Sequence, residues 1–360
     1  MYTPLTRRPE GIAGERPAPE RGKEHLARID LLKEKVEAAL RVLNEHPDGP
    51  DTLGLFLAPE WFFTGKEGDK PYTLAQVHEV IAKLEAFSKA HPDLVLVPGS
   101  IRWARPEPEP PPWTREKGRK SGGSAPPSPE PTQALFNSAV VVQGGKMKFM
   151  YHKQHEGSDV GGAPVGTKQV FVNEVEGTWA FAQWASRDPR VLVPKEGAEP
   201  STAGRSGLRR TGAPSNFFTI EGIDFAVDIC ADFGRGTALR AYLDSQKGEG
   251  VDVHLVMAAG FGGDLSPSTT VARVGGYTLL AEGGSLQQYP EKRAKVGKVK
   301  KREGTLEEAA RRHSKSSATV EYEEQTRKRF VDEPKDLVIF EDVLVLPPRP
   351  PKSPAPPGTA

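Results

Sequence analysis

Apolar residues recur at helical spacing between Glu24 and Glu45. Leu26, Ile29, Leu32, Val36, Leu40 and the Val42/Leu43 pair line one side, with charges between them. The spacing predicts an amphipathic helix over 24–45, stopped by HPDGPD. TLGLFLAPEW (52–61) then reads as a buried strand running into Pro59-Glu60. Residues 73–90 repeat the helical pattern, and LVLVPGSIRW (94–103) reads as a second apolar strand. A helix, strand, helix, strand succession is the mark of a layered α/β fold.

Residues 104–131 interrupt this order with nine prolines and little that is apolar. Such a stretch buries too little surface to offset its ordering entropy, so it reads as a flexible insertion. ALFNSAVVVQGGKMKFMYHK (134–153) resumes the fold as two strands flanking Gly144-Gly145, a hairpin signal. Residues 156–215 are Gly-, Pro- and Arg-rich, with one apolar patch near 169–184, and read as a second insertion. NFFTIEGIDFAVDIC (216–230) reads as another hairpin, turning at Glu221-Gly222 and ending at Cys230. A short helix is expected at 237–246 and buried strands at 251–260 and 275–284. Residues 287–335 are highly charged and read as helical or disordered. DLVIFEDVLVL (336–346) reads as a last strand or strand pair. The expected organisation is a loose arm over 1–23, one domain over 24–346 with insertions at about 104–131, 156–215 and 287–335, and a disordered Pro-rich tail over 347–360.

Composition narrows the function classes. The 360 residues carry 49 Lys+Arg against 48 Asp+Glu, so the net charge is +1. That balance argues against a chain whose main task is gripping nucleic acid or an anionic membrane through bulk charge. No apolar run approaches the roughly 18–20 residues that span a bilayer, and the first residues show no apolar signal region. One cysteine, Cys230, excludes an intrachain disulfide or a Cys-based zinc site and suits a reducing compartment. A cytoplasmic location is the expectation.

Three reactive side chains stand at the exits of apolar strands: Glu60 after LFLAP, Lys153 after KFMYH and Cys230 after FAVDI. Strand ends are where layered α/β folds hold ligands, because the sheet fixes the side chain while releasing it from the core. Each alone has a bland reading: a solvated turn Glu, a solvated Lys, a packing Cys. Together their segments resemble the nitrilase (carbon–nitrogen hydrolase) superfamily. LFLAPEWFF is similar to that family's strand ending in Pro-Glu and an aromatic. FNSAVVVQGGKMKFMYHKQH is similar to its N-x-A…Y-x-K-x-H hairpin, IEGIDFAVDICADF to its I-C-x-D segment, and VDVHLVMAAG to the strand that follows.

The resemblance implies a four-layer α-β-β-α sandwich of nitrilase type with long loop insertions. It implies hydrolysis of a non-peptide carbon–nitrogen bond, of an amide rather than a nitrile because most of the superfamily cleaves amides. Cys230 would be the nucleophile, Glu60 the general base and acid, and Lys153 an oxyanion stabiliser together with the backbone N–H of Ala231. Trp61 would line the pocket, and Asp232 would be structural. Family members often carry a second Glu after the lysine. Glu156 is the nearest candidate, with Glu174 and Glu176 as alternatives. No metal or organic cofactor is implied, and the partner is a small amide or nitrile. The segment after 251–260 lacks the family's dimer-face pattern, which leaves association of identical copies open. Two rival functions stand beside this one: an acyltransferase on the same fold, and a non-catalytic binding module.

Other constellations are weaker. Cys230 with His152, His155 or His254 would make a Cys–His pair, but His254 lies inside a buried strand and reads as a core histidine. His152, His155 and Glu156 lack metal-ligand spacing on a strand. GGAPVGTK (161–168) is not a phosphate-binding loop, since Lys168 ends it and no strand precedes it. EKRAKVGKVKKRE (291–303) holds seven basic residues and reads as a solvated face, with nucleic-acid contact as the rival.

Overall fold

The structure, a computed structural model, describes residues 23–45, 52–64, 71–106, 133–154, 168–175, 178–183, 192–193, 216–245, 248–259, 265, 269–283, 294–306, 308, 320–326, 328–330, 337–340, 344 and 346. The expected arm over 1–23, apart from Lys23, the tail over 347–360, most of 104–131 and the loop 161–167 lie outside the described residues.

The chain opens with α1 (Glu24–Asn44), β1 (Gly54–Leu57), β2 (Tyr72–Thr73), α2 (Leu74–Ser88), β3 (Leu94–Val97) and β4 (Ser100–Pro106). It continues with β5 (Gln133–Gln143), β6 (Lys146–His152), β7 (Lys168–Val175), β8 (Thr178–Gln183) and β9 (Leu192–Val193). A second run follows: β10 (Phe217–Ile220), β11 (Ile223–Ile229), α3 (Ala231–Gly234), α4 (Thr237–Ser245), β12 (Val251–Ala258), β13 (Ala272–Glu282), β14 (Ala294–Arg302) and β15 (Val320–Glu324). A small antiparallel pair, β16 (Lys328–Phe330) and β17 (Val338–Phe340), closes it.

This is a mixed α/β protein with two main sheets. The first joins β1 through β9, with β1 and β3 parallel and the β5–β6 hairpin antiparallel. The second runs in the order β10-β11-β12-β13-β14-β15, with β11, β12 and β13 parallel at its centre. Both expected hairpins form, turning at Gly144-Gly145 and Glu221-Gly222.

The two-residue period of a strand sends neighbouring side chains to opposite faces. Leu94 and Leu96 join one buried cluster with Ile29, Leu32 and Val36 of α1 and Val77, Val80 and Leu84 of α2. Val95 and Val97 join another with Val227, Ile229, Leu255 and Met257 of the second sheet. The opposite face of β11 carries Ala226 into a third cluster with Ala238, Leu239 and Tyr242 of α4. One cluster therefore draws side chains from both sheets, and both sheets also pack against helices.

Two readings change. The stretch 94–103 is not one strand: Pro98 and Gly99 break it into β3 and β4. Residues 294–302 and 320–324, read as helical or disordered, are strands β14 and β15. In β14 Ala294, Val296 and Val299 are buried while Lys300 and Lys301 are exposed. The apolar positions were small and sparse enough to be hidden by the charge count. Within 156–215, residues 168–175 and 178–183 form an antiparallel pair over the apolar patch.

Gly99 deserves its residue type. Its φ is +88°, and a Cβ there would meet the Pro59 carbonyl oxygen and lie 2.7 Å from Phe62 Cβ. Gly99→Ala is expected to destabilise the fold by roughly 2–4 kcal/mol, from backbone strain plus overpacking. Urea denaturation would show it as a lower midpoint at unchanged slope.

Candidate active site

Glu60 follows β1 on a turn stitched to the start of β4. Ser100 N–H donates to the Pro59 carbonyl (3.3 Å), Phe63 N–H to the Ser100 carbonyl (3.1 Å), and Trp61 N–H to Ser100 Oγ (2.9 Å). Trp61 takes φ of 60°, rare for a bulky side chain, so these bonds hold the turn against its own preference. The result is a Glu60 side chain with no solvent exposure.

Lys153 stands one residue past β6, and its N–H donates to the Asn137 carbonyl at 2.8 Å. Its Nζ reaches Glu60 Oε1 at 2.6 Å, with both side chains buried. Burial by itself would lower the lysine pKa. The Glu60 carboxylate and then Cys230 outweigh it and hold the ammonium above its ordinary range.

Cys230 ends β11. Its N–H donates to the Met257 carbonyl (2.8 Å), which extends the parallel ladder by one bond. The backbone then turns at φ 49°, ψ −104° into α3, and the side chain is 5% exposed. A non-glycine residue in this region is a stored strain of the kind found at functional sites. Burial pushes the thiol pKa up, and the Glu60 carboxylate pushes it further; Lys153 and a backbone contact from Ala259 oppose this. The thiol therefore keeps its proton at neutral pH, beside a carboxylate able to take it. The Lys153 ammonium supplies positive charge next to both.

The sequence-selected Glu60, Lys153 and Cys230 thus come together, drawn from both sheets. Ala231 opens α3, and as the first residue of a helical turn its N–H has no intrahelical acceptor. Trp61 is partly exposed beside Glu60. Glu156 and His155 lie outside the described residues. Glu174 sits in β7 opposite Trp179 of β8.

Two residues that the sequence reading left without a catalytic task shape the site. Asp232, two residues past Cys230, accepts from Tyr151 Oη (2.7 Å) and from Gln154 N–H (2.9 Å), so it brackets Lys153 and ties the turn after Cys230 to β6. Asn137 in β5 donates from Nδ2 to Glu60 Oε1 at 2.8 Å. A polar residue inside the apolar run LFNSAVVV is the signal that could have found it.

The rival constellations resolve differently. His254 is fully buried. Its Nδ1 faces Val271 N–H (3.3 Å), which makes Nε2–H the donor to Asp228 Oδ2 (3.1 Å), and it is a satisfied core histidine. His152 Nδ1 and Ser138 Oγ share a hydrogen bond at 2.6 Å, and Ser138 Oγ accepts from Trp103 Nε1 at 2.8 Å. The basic run lies across from acids: Lys298 pairs in register with Glu323 and Lys301 with Glu321, and Lys300 Nζ is 3.7 Å from Glu323. Among the described residues no helix is long and apolar enough to cross a membrane.

No family model matches the sequence, and no curated protein does. Among solved structures, the chain is similar to an amidase from the nitrilase superfamily of Nesterenkonia AN1, in a Cys-to-Ser mutant form. Identity is 16%, covering 78% of this chain and 74% of that one, with a TM-score of 0.34. It is similar to a carbon–nitrogen hydrolase from Helicobacter pylori G27 at 14% identity, covering 72% of this chain and 68% of that one, with a TM-score of 0.37. A further mutant of the Nesterenkonia amidase, showing Michael addition of acrylamide at its active-site cysteine, matches at 16% identity over 79% and 78% of the two chains, with a TM-score of 0.34. These three solved structures are two forms of one nitrilase-superfamily amidase and one carbon–nitrogen hydrolase.

Proposed function

We propose that the chain hydrolyses a non-peptide carbon–nitrogen bond, an amide in preference to a nitrile, through a thioester on Cys230. The fold carrying it would be a four-layer α-β-β-α sandwich of nitrilase type spanning 24–346. The observation that supports this best is the buried convergence of Glu60, Lys153 and Cys230, with Lys153 Nζ 2.6 Å from Glu60 Oε1.

The chemistry follows from those charges. As sulfur attacks the carbonyl carbon, the thiol proton passes to Glu60 and the carbonyl π electrons move to oxygen. Lys153 and the Ala231 N–H stabilise that oxyanion. Glu60 returns the proton to the departing nitrogen, the C–N bond breaks, and ammonia or an amine leaves. Glu60 then takes a proton from water as the water attacks the thioester, and returns it to sulfur. Trp61 lines the acyl pocket. Glu156 is the proposed auxiliary acid.

Intact-protein mass spectrometry during incubation with small amides and nitriles tests this. The expected result is an acyl adduct whose mass reports the acyl group, absent in Cys230→Ala, with release of ammonia. No adduct and no ammonia across the panel, together with a Cys230 inert to iodoacetamide in the folded protein, would sink the reading.

A further inference from the structure

The two oxygens of Glu60 are not equivalent. Oε1 accepts from Lys153 Nζ (2.6 Å) and from Asn137 Nδ2 (2.8 Å). Oε2 is buried and accepts no hydrogen bond among the described residues. An oxygen holding two donors, one of them charged, has its lone pairs committed; the other is the better proton acceptor.

Asn137 is 3% exposed and reaches both partners of the ion pair, Glu60 through its side chain and Lys153 through its main-chain carbonyl. Its orientation is fixed, since only the NH₂ end can face a carboxylate. The amide oxygen is left buried with no donor among the described residues. An asparagine selected for stability alone would satisfy both ends, because an unmet buried acceptor is destabilising. The neighbouring Ser138 is itself hydrogen-bonded to Trp103 and His152.

We propose that Asn137 is a positioning residue: with Lys153 it pins Oε1, and so assigns Oε2 as the oxygen that exchanges a proton with the Cys230 thiol. This rests on the reading of Glu60 as general base given above. In the step concerned the S–H bond breaks and an O–H bond forms on Oε2 as the S–C bond forms; the reverse transfer protonates the leaving nitrogen. The charged and titratable groups around this exchange, among the described residues, are Lys153, after β6, Cys230, after β11, and Asp232 of α3, whose charge acts on Lys153.

A substrate-independent test is available, because Cys230 is the only cysteine in the chain. Alkylation by iodoacetamide at one fixed neutral pH is followed by intact mass, in H₂O and in D₂O, for wild type, Glu60→Gln, Asn137→Leu and Asn137→Ser. In the wild type the rate should be lower in D₂O, because the S–H bond breaks as sulfur attacks, and Glu60→Gln should lack that isotope effect. Asn137→Leu should react about tenfold more slowly than wild type, with a diminished isotope effect. Asn137→Ser, which keeps a donor, should recover part of the loss. An isotope effect that vanishes in Glu60→Gln yet stays, with the wild-type rate, in a folded Asn137→Leu would overturn the positioning role alone. A wild-type isotope effect that persists in Glu60→Gln would overturn the underlying reading of Glu60. Should Asn137→Leu fail to fold, Asn137→Ser carries the test: its shorter donor must still slow the reaction, and an unchanged rate overturns the proposal.

Discussion

Glu60→Gln should sharply slow the proposed turnover while making the Cys230 thiol easier to ionise. The two effects have one cause. Burial raises the thiol pKa, the Glu60 carboxylate raises it further, and Lys153 lowers it. Glutamine keeps the shape of the side chain and removes the negative charge, so the lowering influence of Lys153 is no longer opposed by a neighbouring carboxylate. The alkaline rise of the iodoacetamide rate, which reports thiolate, should therefore move to lower pH than in the wild type. If the proposed hydrolysis holds, its rate should fall by on the order of 10²–10⁴-fold, the range for losing a general acid–base group. Cys230→Ala should lose both signals. A midpoint that stayed in place or moved upward in Glu60→Gln would mean that the carboxylate does not act on the thiol as the packing describes.

His254 should set the acid limit of stability. It is fully buried, and burial first, then the Arg302 charge, lower its pKa from 6.5 to about 3. The Asp228 carboxylate pulls the other way. Burial prevails because protonating Nδ1 would turn it into a donor facing the Val271 N–H. The sign follows from proton counts. Below pH 6.5 the unfolded chain binds a proton on this ring and the folded chain does not, down to about pH 3. The contribution to stability is thus complete above the unfolded pKa and is lost as pH falls, at about 1.4 kcal/mol per pH unit, for a total on the order of 4–5 kcal/mol. His254→Gln, which keeps an N–H for Asp228 but cannot titrate, should flatten the wild-type loss of urea midpoint between pH 7 and pH 4. His254→Leu leaves Asp228 Oδ2 without that donor and should cost roughly 1–3 kcal/mol at neutral pH. Parallel loss of stability in wild type and His254→Gln would refute the assignment. The site would feel the change, since Asp228 lies two residues before Cys230, accepts from Ala238 N–H at the start of α4, and the Phe233 ring of α3 meets His254 edge-on at 5.3 Å.

Much of the fold was legible because strand and helix periods are local properties. The helices at 24–44 and 74–88, both hairpins and the strand at 251–258 follow from apolar spacing and Gly-Gly or Glu-Gly turns. The reading failed where charge obscured alternation. In β14 the lysines are tolerated because β15 places Glu321, Glu323 and Glu324 across from the strand, a pairing that exists only once two distant segments are in register.

The candidate site divides the same way. That Glu60, Lys153 and Cys230 stand at strand exits is visible in one dimension, as an apolar run ending in a reactive side chain. Which atoms meet follows from packing between distant segments. That packing puts Lys153 on one oxygen of Glu60, adds Asn137 to the same oxygen, and locks the Cys230 turn to β6 through Asp232. These contacts span 77, 81 and 93 residues of chain. No local propensity reports on pairs so far apart; they depend on the two sheets sharing one buried cluster, and the charges of the site follow from the burial that packing creates.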